Sequence, residues 1–162
     1  MPKWHIATIT IVLLGFAMPS YATASLSEDS AMIEEIAKRE KVSPAEVEKS
    51  LKEGCDSGAT FEMAKCGYYH QVGEDIKLNY AYQALLKKLA NTAAQSKLVK
   101  AQRAWLLFRD ATCEYESDGM SGGTGRHVLY NGCLATMHHE RTLKLNEYLK
   151  CDLSDAGCPG FN

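Results

Sequence analysis

The sequence has no two cysteines at the close C-x2-C spacing that zinc favours, which argues against a structural metal site. It also lacks a run of about twenty apolar residues, the length a membrane-spanning helix needs. Its uncharged apolar run, Ile6 to Ala17, is only twelve residues long. No G-x-S-x-G, H-E-x-x-H or Cys–His nucleophile motif is present, so no hydrolytic chemistry is marked and no catalytic residues are assigned. Cys66-Gly67-Tyr68-Tyr69-His70 is not the C-x-x-C-H of haem attachment. No segment alternates apolar and polar residues as a half-buried strand does. A basic excess is missing too: the net charge is −2, which gives no electrostatic reason to bind nucleic acid. No cysteine precedes Cys55, so the residue that a bacterial lipid anchor would use is absent and no stable membrane anchor is expected.

What is present points outside the cytoplasm. Lys3 gives a positive start, the apolar run follows, Pro19 breaks it, and Ala22-Thr23-Ala24 supplies small residues for a signal peptidase. Residues 1–24 are therefore expected to be a signal peptide, with cleavage between Ala24 and Ser25. The mature chain would have 138 residues and a net charge of −3, suited to one domain. Six cysteines remain: Cys55, Cys66, Cys113, Cys133, Cys151 and Cys158. An even number in an exported chain implies a disulfide framework and a periplasmic or secreted location. Six cysteines allow fifteen pairings. Joining sequence neighbours (Cys55–Cys66, Cys113–Cys133, Cys151–Cys158) is the simplest. A loop the size of Cys113–Cys133 would be worth roughly 3 kcal/mol by loss of unfolded-state entropy.

Charge is uneven along the chain. Residues 25–62 hold ten acids and five bases, and residues 63–113 hold three acids and eight bases. Either two solvated helix faces of opposite sign or a field that steers a charged partner would give this pattern.

Helical periodicity runs almost throughout. Ser25-Leu26-Ser27-Glu28 could start a helix carrying Met32, Ile33, Ile36 and Ala37 on one side. Ser43-Pro44-Ala45-Glu46 offers a Ser cap, Pro at the first helical position and a Glu placed to reach back, opening a helix that ends at Gly54. In an exported acidic segment this helical pair suits packing or docking, not DNA reading. A long helix is predicted from Thr60 to about Asn91, with the stripe Val72, Ile76, Asn79, Tyr82, Leu85, Leu86 and Leu89. A second, over about 93–116, carries Leu98, Ala101, Trp105, Phe108 and Thr112. The Gly-rich stretch Asp118 to Gly125 is a loop by composition. A third helix, about 128–149, carries Leu134, Met137, Arg141, Leu145 and Tyr148. The expected fold is all-α: an antiparallel bundle of three long helices with a short N-terminal helical hairpin, stapled by disulfides. Four parts follow: signal peptide 1–24, hairpin extension 25–54, helical domain 55–149, and disulfide-closed tail 150–162.

Particular residues then carry a resemblance. Asp75-Ile76-Lys77-Leu78-Asn79-Tyr80-Ala81-Tyr82 resembles the D-x-x-L-N-x-x-Y segment of the LprI-like family of lysozyme inhibitors. The run Gln102 to Cys113, containing Trp105, Phe108, Arg109 and Asp110, is similar to that family's Q-x-x-W-x-x-[FY]-R-D-x-x-C. Cys133-Leu134 with Arg141 and Leu145 resembles its closing helix, and Cys55 and Cys66 fit its opening cysteines. The likeness spans about residues 55–149. It departs at His138, where the family often has Thr, and in the hairpin and tail, which lie outside the shared domain. The resemblance implies a helical periplasmic or cell-surface protein. It also implies a protein partner, with a peptidoglycan-cleaving muramidase the first candidate.

The motif residues have a physical reading of their own. Trp105 sits on an apolar stripe and suits a core. Asp75, Asn79, Gln102, Arg109, Asp110 and Arg141 recur beside the stripes, and polar groups so placed need partners. An interhelical network is expected, with Asp75 or Asp110 accepting from Arg109 or Arg141. Asp110 and Glu114 could form an acid pair, but so do many solvated carboxylates on one helix face. His138, His139 and Glu140 are consecutive and point in different directions, and His127 and His138 would be isolated ligands. No metal or cofactor is assigned. The candidate partner-binding residues are Asp118, Arg126 and His127, in or beside the Gly-rich loop. A competing function is an envelope interaction protein, chaperone or toxin-immunity protein with no lysozyme target, docking through its acidic N-terminal hairpin. A structural envelope protein is a third.

Overall fold

The computed structural model describes residues 21–152, 154–155 and 157–159, with side chains from Asp29 onward. Nearly all of the expected signal peptide and parts of the tail lie outside the described residues. Helix α1 spans Tyr21–Glu40, so the backbone is helical ahead of the start expected at Ser25. Lys41, with φ 58°, ends it in the left-handed region and turns the chain toward α2. Ser43 caps α2 (Pro44–Lys49) by accepting the Glu46 N–H at 3.2 Å, with Pro44 in the first turn where its missing N–H costs nothing. Glu46 does not spend its carboxylate on the cap. It takes Lys65 at 2.7 Å and the Tyr69 hydroxyl at 3.3 Å, both on the next helix. The helix widens into one π-turn, Ser50–Gly54.

Helix α3 spans Thr60–Lys88, and Asn91 turns the chain at φ 65°. Helix α4 spans Ala93–Ser117 and runs into a single 3-10 turn, Asp118–Met120. A short exposed loop follows, in which Gly122 adopts φ 81°, a conformation that favours glycine. Helix α5 spans Arg126–Lys150. Among the described residues there is no strand.

The three long helices run up, down and up. Gln102 of α4 faces Arg141 of α5, and Cys113 faces Cys133, so α4 and α5 are antiparallel. Helices α3 and α5 lie side by side in the same direction: Asn131 donates to the Ala64 carbonyl at 3.0 Å, and at the far end Lys88 donates to the Leu149 carbonyl at 2.8 Å. Helix α4 packs mainly on α5.

Two apolar clusters hold this arrangement. The first joins the hairpin to the front half of α3 through Ile36, Ala37, Val47, Tyr69, Val72 and Ile76. The second joins the rear half of α3 to α4 and α5 through Leu78, Ala81, Leu85, Leu89, Leu98 and Leu145. Each fully buried aliphatic side chain contributes about 1.5–3 kcal/mol over its exposed state. Gly73 lets α1 settle on α3, since a Cβ there would stand 3.3 Å from Ile36 Cδ1.

The apolar stripes rotate relative to the sequence expectation. On α3, Asn79 faces solvent, while Leu78 and Ala81 are buried. The cause is the change of partner along the helix, from the hairpin to α4 and α5. On α4, Ala101 and Phe108 face outward; the buried residues are Leu98, Gln102, Cys113 and Ser117. Bridging Cys113 to α5 fixes that face inward, and polar residues come with it.

Three disulfides are formed: Cys55–Cys66, Cys113–Cys133 and Cys151–Cys158. The first ties the hairpin's end to α3. The second joins α4 to α5 at the base of the loop, and the third closes the tail. Among the described residues, no helix is long and apolar enough to cross a membrane.

Candidate functional site

A polar belt lies between the two apolar clusters. Helix α5 contributes His138, which is 1 % exposed, at the level of Asp75 on α3 and Arg109 on α4. The Arg109 Nη1 stands 2.8 Å from His138 Nε2. A guanidinium only donates, so Nε2 must present its lone pair and the ring proton sits on Nδ1. Nδ1 faces the Gln71 carbonyl at 3.4 Å. Burial pushes the His138 pKa below its ordinary value and Arg109 acts in the same direction; the Asp75 carboxylate, 3.9 Å from Nε2, opposes them. The imidazole is therefore a neutral acceptor held in one tautomer.

The belt continues to both sides. Asp75 takes Arg39 of α1 at 2.7 Å and accepts from Asn79 at 3.2 Å. Arg109 also grips the carboxylate of its neighbour Asp110, with Nε and Nη2 at 2.8 and 2.5 Å from one oxygen. Trp105 lies between the guanidiniums of Arg109 and Arg141, 5.6 and 5.7 Å from its ring. Arg141 donates to the Gln102 amide oxygen at 3.0 Å. Burial lowers the Arg141 pKa from its ordinary value.

The seven motif residues lie along one belt: Arg109 pairs with Asp110 but within α4, and the other partners differ from those expected. Asp75 pairs with Arg39, not with Arg109 or Arg141. Arg141 meets an amide, not a carboxylate. Asn79 and Asp110 stand at the solvent edge. Two members, Arg39 and His138, were missing from the expected network. Their spacing was a usable signal: Arg39 follows Ile36 by one turn, and His138 follows Leu134 by one turn and precedes Arg141 by another.

The loop residues separate. The Arg126 guanidinium is engaged by the Glu114 carboxylate and lies 5.7 Å from the Tyr130 ring, so it braces the loop's base. Asp118 accepts from the Ser121 hydroxyl at 2.8 Å. His127 is exposed. The backbone N–H groups of Ser121, Gly123 and Arg126 donate within the loop's own turns. Cys55, Cys66 and His70 are close enough to suggest a metal cluster, but both sulfurs are already joined in a disulfide.

The molecule is a disulfide-tied helical bundle, keyed by a half-buried polar belt and presenting a loop clamped at its base. Residues 53–145 match the family described as Lysozyme inhibitor LprI, and the chain belongs to that family. The matched stretch includes the belt residues of α3, α4 and α5, the loop and two of the disulfides. Uncharacterized protein R02472 of Rhizobium meliloti (strain 1021) is 36% identical over 88 residues, which cover 47% of this chain and 63% of that protein. The chain therefore spans less than two thirds of that relative's length. No solved structure matches the chain.

Proposed function

We propose that this is an exported binding protein of the cell envelope that sterically blocks a peptidoglycan-cleaving muramidase and performs no catalysis itself. The observation that carries the reading is the family match over 53–145, the stretch that builds the bundle and its loop. The mechanism is occlusion. Muramidase clefts hold paired carboxyl groups, which a donor-bearing projection can plug. His127 is the exposed donor beside the loop, and Asp118 and Arg126 shape its base. The belt holds the helices in register so that the loop keeps one position. Export fits the signal-like N-terminus and three disulfides, which persist in oxidising compartments.

The alternative, an envelope chaperone or immunity protein docking through its hairpin, has less in its favour. The hairpin spends Ile36, Ala37 and Val47 on α3 and is part of the core. A turbidity assay of lysozyme-type muramidases on cell walls tests the leading reading. Excess protein is expected to slow clearing, and deletion of residues 119–124 to abolish the effect. Unchanged clearing across the enzyme panel would reject it.

A further inference from the structure

Helix α4 turns a second apolar stripe away from the bundle. Leu107, Phe108 and Tyr115 are large and exposed, with Phe108 61 % exposed. Phe108 forms one wall of a groove of about 580 Å³ between α4 and α5. Val128, Leu129 and Met137 line the opposite side. The floor is open at Gly132, where an added Cβ would meet nothing within 4 Å. From Val128 to Glu140 the groove follows α5 for roughly 18 Å at 1.5 Å per residue.

Its charge has one sign. The charged lining residues are Glu116 from α4 and Glu140 from α5, and no Lys or Arg lines the groove. Glu116 lies toward the loop and Glu140 toward the far end of the lining stretch. Among the described residues neither takes part in an ion pair. Arg126, at the start of α5, is held by Glu114, and Arg109 of α4 by Asp110. Helix α4 also has no basic residue in its last turn, so the negative end of its dipole adds to the field around Glu116.

We infer that this groove is a docking site for a basic segment of a partner protein, one that presents an apolar side chain between two cationic ones. The apolar side chain lies over Gly132 against Phe108 and Leu129, and the cations meet Glu116 and Glu140. The inference rests on the proposed role as a binding protein, but it names a contact surface other than the loop.

The test uses the whole protein, a labelled Leu/Lys amphipathic peptide as probe, and a Leu/Glu peptide of the same pattern as control. Gly132→Gln fills the floor without changing charge, and in a helix interior it raises helix propensity, so the fold should survive. Glu116→Lys with Glu140→Lys reverses the rim at exposed positions. The Leu/Lys peptide is expected to bind and the Leu/Glu peptide not to bind. Each variant should weaken binding by about tenfold or more with unchanged circular dichroism. Equal binding of both peptides, or variants that bind like the parent, overturns the inference. So does a dimer in sedimentation that Gly132→Gln dissociates, because the occupant would then be a second copy. Muramidase inhibition that survives both groove variants while the basic peptide is lost leaves the groove inference standing and confines inhibition to the loop. Basic-peptide binding without any inhibition by the parent protein leaves the groove and removes the muramidase reading.

Discussion

The two ends of the bundle are stabilised in different ways. At the hairpin end the apolar cluster is overlaid by exposed polar ties: the Tyr68 hydroxyl donates to Glu40 at 2.5 Å, Tyr80 to Glu35 at 2.6 Å, and Lys65 meets Glu46 at 2.7 Å. At the opposite end the cluster around Leu85 and Leu145 gathers three long helices, and its main polar tie is Lys88 on the last carbonyls of α5. Exposed pairs contribute little net stability, whereas buried aliphatics contribute much. The hairpin packs mainly on α3, whereas α3, α4 and α5 pack on one another, so the hairpin is expected to open first, and the belt at His138 joins it to the rest.

That contrast can be broken first at its strongest point. Leu145 is fully buried, and Leu145→Ala should cost about 3 kcal/mol and lower the melting of the whole domain. Val47→Ala, at the hairpin end, should cost about 2 kcal/mol and speed hydrogen exchange chiefly in residues 29–54. Equal, global protection loss in both variants would show that the two ends unfold as one.

The belt is the next target. Arg109→Met leaves His138 Nε2 as a buried acceptor without its donor, and should destabilise by about 2 kcal/mol. Unchanged melting and proteolysis would mean that the belt does not fix helix register.

A smaller effect sharpens the same comparison by pH. The folded pKa of His138 lies below 6.5, so the unfolded chain binds more protons than the folded one between those two values. Stability should therefore be full above 6.5 and decline as pH falls from 6.5 through the folded pKa. Denaturant midpoints measured across that window should lose this slope in His138→Gln. Glu46 and Glu74, whose pKa values are lowered from 4.5, contribute stability that is present above 4.5 and lost as pH falls further, so the loss of slope in His138→Gln is read above 4.5.

The smallest effect lies at the hairpin surface. The Tyr68 pKa is raised to about 12, mainly by its hydrogen bond to Glu40 and then by burial. Its contribution is present below the ordinary value of 10 and lost as pH rises toward 12. A phenolate absorbance titration should show Tyr68 among the late-titrating tyrosines, with Tyr69 and Tyr80 also shifted upward, and Glu40→Gln should move the Tyr68 step to lower pH.

Much of the architecture was legible from local chemistry. Ser43-Pro44 marked a helix start, Asn91 a helix end, and the Gly-rich stretch after Asp118 the turn between α4 and α5. Each is a backbone preference that acts without tertiary help. The inward face of α4 was not legible in the same way. Hydrophobic periodicity favours Ala101 and Phe108, whereas burial follows Gln102, Cys113 and Ser117. Polar residues can be buried when they satisfy one another, and a pattern built on apolarity alone overlooks that. The pairing of Asp75 with Arg39 was hidden for a related reason, since it depends on how the hairpin docks, and docking has no sequence period.

The closure between Cys113 and Cys133, braced by Glu114 and Arg126, separates the fate of the turn above it from that of the rods below. Because the ends are pinned together, each doubling of the connecting segment should cost only about 0.6 kcal/mol. Descendants of this gene can therefore lengthen, shorten or rewrite that crown almost at will. A foreign epitope spliced after Gly119 should be displayed on an otherwise undisturbed body.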